Sequence, residues 1–235
     1  MESIIFTTDA SIVLAELLGG IRHENLFIVA DKHTVGFCDR LFEKVDWIPS
    51  HVTVLDCGEE YKSVESVSRI WMMLSKRGAR RSSILVCVGG GVVTDLGGFA
   101  ASTFKRGMRC INVPTTLLAQ VDASLGGKTG FNFNGLKNEI GTFSIPEKVI
   151  IDVHFLSHLP VRERMSGFAE MIKHGLLSER EYLTRLLSLE YQETSPEDFL
   201  ELIRRSVMIK DEIVSQDPRE QGLRKVLNFG HTIGH

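Results

Sequence analysis

Glu170, Lys173 and His174 stand at i, i+3 and i+4, a spacing that on a helix points all three side chains the same way. His231 and His235 repeat the four-residue step, and two imidazoles one turn apart are a common grip for zinc. By spacing alone, Glu170 with His231 and His235 is a possible three-ligand set with an open position for substrate. The plainer alternative is an ion pair on a solvated helix face and two partly exposed histidines on a terminal helix. Arg224 lies two turns before His231 and can face the same cleft.

A second concentration of chemistry runs from Gly89 to Asn138. It holds three glycine clusters, the corner Pro114-Thr115-Thr116, and Asp95, Lys105, Arg106, Asp122, Lys128 and Lys137. Glycines let backbone N–H groups come close to a ligand, and cationic side chains beside such turns hold phosphate. The stretch predicts a site for a dinucleotide and a phosphorylated small molecule; tight turns in an α/β sheet are the competing reading. Gly89-Gly90-Gly91 is not G-x-G-x-x-G, and Gly126-Gly127-Lys128-Thr129 lacks the spaced first glycine of a P-loop. A P-loop NTPase is excluded.

The elements that must position these groups alternate. Apolar runs at Ile4–Phe6, Leu26–Ala30, His51–Leu55, Ile84–Val88, Cys110–Val113 and Lys148–Ile151 predict strands. Helices are expected at Ser11–Leu18 (Ile12, Ala15 and Leu18 inward), Val35–Val45, Ser63–Leu74 with Ser63 as N-cap, and Val92–Phe104. Gly97-Gly98 in the last suggests close packing. Strand-helix alternation argues for a mostly parallel, Rossmann-like sheet with helices on both faces. After Asp152 helical patterns take over: Arg162–Leu177 (Phe168, Ala169, Ile172 and Leu176 inward), Glu181–Leu189, and a helix from Ser195 to about Ser215. The expected organisation is a dinucleotide-binding α/β domain over 1–152 and an all-α part over 153–235.

The chain has 235 residues, 43% hydrophobic and 24% charged, with a net charge of −3, which leaves no basic footprint for nucleic acid. No apolar run reaches the length of about 18 residues that spans a membrane, and the N-terminus lacks a secretory pattern. Cys38, Cys57, Cys87 and Cys110 are widely separated, the mark of buried free thiols in a reducing cytoplasm.

Together the motifs resemble those of the 3-dehydroquinate synthases, members of the sugar-phosphate cyclase superfamily. The resemblance runs from about Asp31 to the last residue through GEEYK, GGGVVTDLGGF, KRG, VPTTLLAQVDASLGGKTG, LKNEIGTF, GFAEMIKHG and LRKVLNFGHTIGH. It implies NAD contacts at Asp31, Glu59, Lys62, Gly90, Gly91, Asp95, Thr115, Thr116, Asp122, Lys137 and Asn138. It implies substrate contacts at Asp122, Lys128, Asn138, Lys173, Lys210, Arg224, Asn228 and His235. Arg106 would reach the phosphate on the neighbouring subunit, which implies a homodimer. Glu170 and His231 would hold a divalent metal, zinc or cobalt. The resemblance thus makes residues 1–152 an NAD-binding domain and 153–235 an incomplete metal and substrate domain. One departure is His158, where a Thr is common before the Leu-Pro pair.

The implied enzyme is a lyase of the shikimate pathway acting on the sugar phosphate 3-deoxy-D-arabino-heptulosonate 7-phosphate. Bound NAD takes hydride from C5, phosphate leaves by β-elimination, hydride returns, and ring opening with an intramolecular aldol step gives 3-dehydroquinate. The family's third metal ligand lies beyond His235, so the resemblance also implies a C-terminally truncated chain with weak metal binding and little activity of its own. His174 or His235 could substitute in part. The rival readings are another sugar-phosphate cyclase, a metal-dependent polyol dehydrogenase, and an inactive fragment that binds NAD.

Overall fold

The computed structural model describes residues 3–191 and 193–230. In chain order the elements are β1 (Ile4–Thr7), α1 (Ala10–Leu18), β2 (Leu26–Asp31), α2 (Cys38–Leu41), β3 (Val52–Leu55), α3 (Val64–Lys76), β4 (Ile84–Gly89), α4 (Gly91–Thr103) and β5 (Arg109–Pro114). There follow β6 (Lys128–Phe133), β7 (Leu136–Phe143), β8 (Lys148–Asp152), α5 (Val161–Leu177), α6 (Arg180–Leu187) and α7 (Pro196–Gln216).

Six strands form one sheet in the order β1-β8-β5-β4-β2-β3, and every neighbouring pair is parallel. The central strands are buried on both faces, which is why β2 and β4 read as unbroken apolar runs. Phe27, Val29, Leu85 and Cys87 pack under α3 and α4 on one face. Leu26, Ile28, Ala30, Val86 and Val88 face α1 and α2 on the other. A third core joins β8, through Val149 and Ile151, to Met171 of α5, Tyr182 of α6 and Ile203 of α7. Beyond Asp152 every regular element among the described residues is helical.

Three local readings are corrected. The long helix expected over Val35–Val45 shrinks to a 3-10 turn at Val35–Phe37 and the four residues of α2. The inward face of α1 is Ala10, Leu14 and Leu18, with Ile12 exposed, because the sheet meets the helix one residue round from the expected stripe. On α5 the buried line is Gly167, Met171, His174 and Gly175, while Ala169 and Leu176 are exposed. Gly167 lets the helix seat directly on Leu117, whose Cβ would lie 2.6 Å from an added methyl. Ser63 holds the N-cap position of α3 but makes no side-chain cap bond, whereas the Ser195 hydroxyl accepts from Asp198 N at the start of α7.

The antiparallel pair β6–β7 was not anticipated. Its two-residue turn is Asn134-Gly135, both with positive φ (50° and 78°), the Asn-Gly pairing that a tight hairpin favours. The hairpin lies on α4, and Gly97-Gly98 sets the packing distance. A Cβ at Gly97 would sit 2.2 Å from Cys87 Sγ, and one at Gly98 2.6 Å from Thr129 Cγ2. Both glycines are therefore required by space. Gly97→Ala is expected to destabilise the fold by about 1–3 kcal/mol through overpacking against β4. A urea unfolding midpoint equal to or above that of the parent chain would refute it.

Candidate active site

In a parallel sheet all strands end at the same edge, and the loops there carry the site. Asp31 ends β2, Gly89 ends β4, and Thr115 follows β5. From β2 the chain moves outward to β3; from β4 it moves the other way to β5. The gap between the carboxyl ends of β2 and β4 is thus a topological switch point, where open α/β sheets bind ligands. Gly90 is the N-cap of α4, so the first amides of a 13-residue helix open into this gap with the positive end of its dipole. Added Cβ atoms at Gly90 and Gly91 would lie 3.1 Å from Thr116 Cγ2 and from Ala123 Cβ. Glycine keeps this backbone approachable. The Asp31 carboxylate is anchored at the gap's far side by His33 N and Thr34 N, each at 2.9 Å.

Lys62 closes one wall. Its ammonium is buried and donates to Asp95 Oδ2 and Asn138 Oδ1, both at 2.5 Å. Asn132, which sequence reasoning missed, locks this wall. Its Nδ2 donates to Glu59 Oε1, its Oδ1 accepts from Asn138 N, and its own amide donates to Lys62 O, at 2.9, 2.9 and 2.8 Å. One hairpin side chain so ties together Glu59, Lys62 and Asn138; the signal for it was the Asn-Gly turn two residues on. Lys137 is exposed on the hairpin.

The second half of the site sits where α5 and α7 meet the π-helical turn Ala119–Ala123. Lys210 Nζ donates to Asp122 Oδ1 and to Asp122 O, at 2.5 and 2.6 Å. Lys173 pairs with Glu170 and donates to Leu227 O at 2.5 Å. His174 is fully buried; its Nδ1 meets Ser206 Oγ at 2.7 Å and its Nε2 lies 3.5 Å from Glu170 Oε1. The shared face of Glu170, Lys173 and His174 is as the spacing predicted, but it is buried, not solvated. Although Lys173 lies against it, Glu170 Oε1 has no well-aligned hydrogen bond, and His174 Nε2 has none either. Ligand atoms of Asp122, Glu170 and His174 lie within 4.8 Å of one another, a donor set that fits a divalent cation.

Arg224 is buried, with its guanidinium on the carbonyls of Gly126 (3.2 Å) and Pro218 (2.8 Å). Lys128 pairs with Glu220, which also accepts from Asn228 Nδ2 at 3.1 Å. Glu220, not foreseen, thereby joins two expected substrate contacts. Arg106 stands apart, on the exposed turn after α4 at the opposite edge of the sheet, with φ of 63°. His231 and His235 lie outside the described residues.

Models of the 3-dehydroquinate synthase N-terminal and C-terminal regions match residues 52–166 and 167–235. The chain belongs to the 3-dehydroquinate synthase family. It is 45% identical to the 3-dehydroquinate synthase of Parabacteroides distasonis over 235 residues, all of this chain and 67% of that protein. Its identity to the Streptococcus pyogenes enzyme is 41% over 233 residues, 99% of this chain and 65% of the relative. The chain thus spans about two thirds of the length of these family members. Among solved structures, a 2-deoxy-scyllo-inosose synthase complexed with carbaglucose-6-phosphate, NAD+ and Co2+ superposes with a TM-score of 0.84 at 27% identity, over 99% of this chain and 66% of that one. A 2-epi-5-epi-valiolone synthase from Streptomyces hygroscopicus, with NAD+ and Zn2+ bound, gives 0.82 at 29%, over 97% and 65%.

Two carboxyl groups of the site titrate in opposite directions. Burial pushes Asp95 up from 3.8 to about 6, against the pull of the Lys62 ammonium. Burial works hardest on Asp122 and would raise it, but the Lys210 charge and hydrogen bond, with the Lys173 charge, together outweigh burial and hold the group down to about 2. Asp95, raised in the fold, contributes stability that is present below 3.8 and lost as pH rises through about 6. Asp122, depressed in the fold, contributes stability present above 3.8 and lost as pH falls through about 2. The stability advantage of the parent chain over Asp95→Asn is therefore expected to grow as pH falls from about 7 to 5. Denaturant titrations at the two pH values check this; an unchanged difference would rule it out.

Proposed function

We propose that the protein carries out the 3-dehydroquinate synthase reaction, converting 3-deoxy-D-arabino-heptulosonate 7-phosphate to 3-dehydroquinate and phosphate. The observation that carries this reading is one cleft edge with two halves. An amide-lined gap at the switch point suits a pyrophosphate, and beside it the buried ammonium groups of Lys173 and Lys210 flank Glu170 and Asp122. The NAD+ and Co2+ or Zn2+ carried by the similar cyclases support the same two cofactors here.

Bound NAD would supply the hydride acceptor and donor, and the divalent metal the positive charge that polarises the substrate hydroxyls. Asp31, Glu59, Lys62, Asp95, Thr115, Thr116 and Lys137 frame the nucleotide, with Gly90 and Gly91 giving it backbone amides. Glu170 and His231 hold the metal. Lys128, Lys173, Lys210, Arg224, Asn228 and His235 orient a substrate that is anionic at its carboxylate and its phosphate, with Asp122 and Asn138 at the junction of the two halves. The substrate's own phosphate accepts the proton whose loss drives elimination, so the side chains mainly position and stabilise charge. Arg106, far from this cleft, reaches a neighbouring subunit's phosphate in a homodimer. No helix of the described residues is long and apolar enough to cross a membrane. Free Cys38, Cys57, Cys87 and Cys110 support a reducing cytoplasm as the place of action.

Phosphate release from the heptulosonate phosphate, with NAD in catalytic amount, is the direct assay. Release without net NADH is the expected result; NADH accumulation would point instead to a polyol dehydrogenase. Lys210→Ala is expected to lower kcat/KM roughly 10²–10³-fold, as loss of one preorganised charge does, with NAD affinity little changed. Full activity in this variant would remove Lys210 from the substrate site.

A further inference from the structure

We propose that Asp31, His33 and Cys57 form a three-ligand site for a thiophilic divalent cation such as zinc, and that a cation held there excludes the nucleotide. The second half rests on the nucleotide reading above; the first does not. Strands β2 and β3 run parallel, with Asp31 paired to Leu55. His33 and Cys57 each lie two residues past that pair, so the two loops leave the sheet edge side by side. A ring nitrogen of His33, the Cys57 sulfur and a carboxylate oxygen of Asp31 all lie within 4.8 Å of one another. Ligands of a tetrahedral zinc stand roughly 3.4–3.8 Å apart, so a small turn of the exposed His33 ring closes the set.

None of the three donors is spent on a competing charge. Asp31 lies in no ion pair among the described residues: Lys32, next in sequence, pairs with Asp56 instead, at 2.6 Å, and Asp56 also takes Arg69 at 3.0 Å. Asp31 Oδ1 accepts from the amides of His33 and Thr34 and from the Thr34 hydroxyl. These bonds fix the carboxylate, as outer partners fix a ligating one, and leave Oδ2 without a hydrogen bond among the described residues. The His33 ring and the Cys57 thiol have none either. Cys38, Cys87 and Cys110 are buried, so Cys57 is the one thiol the cleft edge offers. It binds as the thiolate, its proton passing to solvent. Sulfur, imidazole and carboxylate together select zinc, cobalt or cadmium over magnesium or calcium. A cation on the Asp31 carboxylate takes a group that frames the nucleotide, which is why the two occupants exclude each other.

The test is a Co2+ titration of the reduced protein followed by absorption, because a sulfur ligand adds an intense thiolate-to-cobalt band in the near ultraviolet. Glu170, Asp122 and His174 carry no sulfur, so cobalt bound among them cannot produce it. One thiolate-bound cobalt per chain is expected, displaced by Zn2+. Cys57→Ser should lose the band, and His33→Ala should bind at least about tenfold more weakly, since even an outer partner of a metal is worth that much. On the unmutated chain, Zn2+ should protect Cys57 from alkylation by iodoacetamide, a readout that depends on no variant folding. Saturating NAD should bleach the cobalt band. An absent band, unchanged affinity in His33→Ala, unprotected Cys57, or a band at full strength with NAD bound overturns the inference. If calorimetry shows that the chain binds no NAD, the nucleotide reading falls by itself, and the thiolate band still decides the metal site.

Discussion

Four cationic side chains, Lys62, Lys173, Lys210 and Arg224, are each at most 8% exposed, and the rest of the site is arranged to answer their charges. A buried ammonium without partners is far too costly to persist. Each therefore draws acceptors around it: Asp95 and Asn138 for Lys62, Leu227 O and the neighbouring Glu170 for Lys173, Asp122 for Lys210, and the carbonyls of Gly126 and Pro218 for Arg224. These pairs stitch the sheet, the hairpin and the helices after Asp152 to one another. Each of the three ammonium groups is matched by one carboxylate, so the cleft holds its charges in pairs. Holding charged groups in the cleft and holding the fold together are the same set of contacts.

Glycine makes that closeness possible. Gly97 and Gly98 bring α4 against β4 and against the hairpin, and Gly167 brings α5 against Leu117. Without the hairpin, Asn138 could not reach Lys62. Without α5 seated so low, Glu170 and Asp122 could not approach within metal-ligand range. The packing of backbone on backbone thus sets the distances on which the chemistry depends.

The fold was legible because a doubly covered parallel strand reads as a nearly unbroken apolar run, as β2 and β4 do. The shared face of Glu170, Lys173 and His174 was legible because helical spacing alone decides it. What stayed hidden depended on tertiary partners. Periodicity places Leu176 and Ile12 inward, but which side of a helix meets the sheet is set by neighbours such as Leu117 and by the glycines that admit them. Asn132 and Glu220 matter through bonds to residues 73 and 92 positions away, a separation no local pattern reports. The hairpin itself was announced by Asn134-Gly135, but its strands carry glycine at positions 130 and 141, which hides strand character.

Arg224 shows what the resemblance of Gly126-Gly127-Lys128-Thr129 to a phosphate loop amounts to physically. Burial pulls the guanidinium below its usual range, yet a guanidinium remains charged at any physiological pH. It bonds carbonyls alone, and among the described residues no carboxylate hydrogen-bonds to it. Gly126, with φ of 75°, is the residue that admits it, for a Cβ there would stand 2.6 Å from Arg224 Nη2. The first glycine of the pair therefore offers its carbonyl to a buried guanidinium. It makes room for a buried positive charge that the carboxylates of Glu220, Asp122 and Asp217 answer without hydrogen-bonding to the guanidinium. The guanidinium is thus held by backbone carbonyls at close range and by carboxylate charge further off, and Gly126 leaves the room for both.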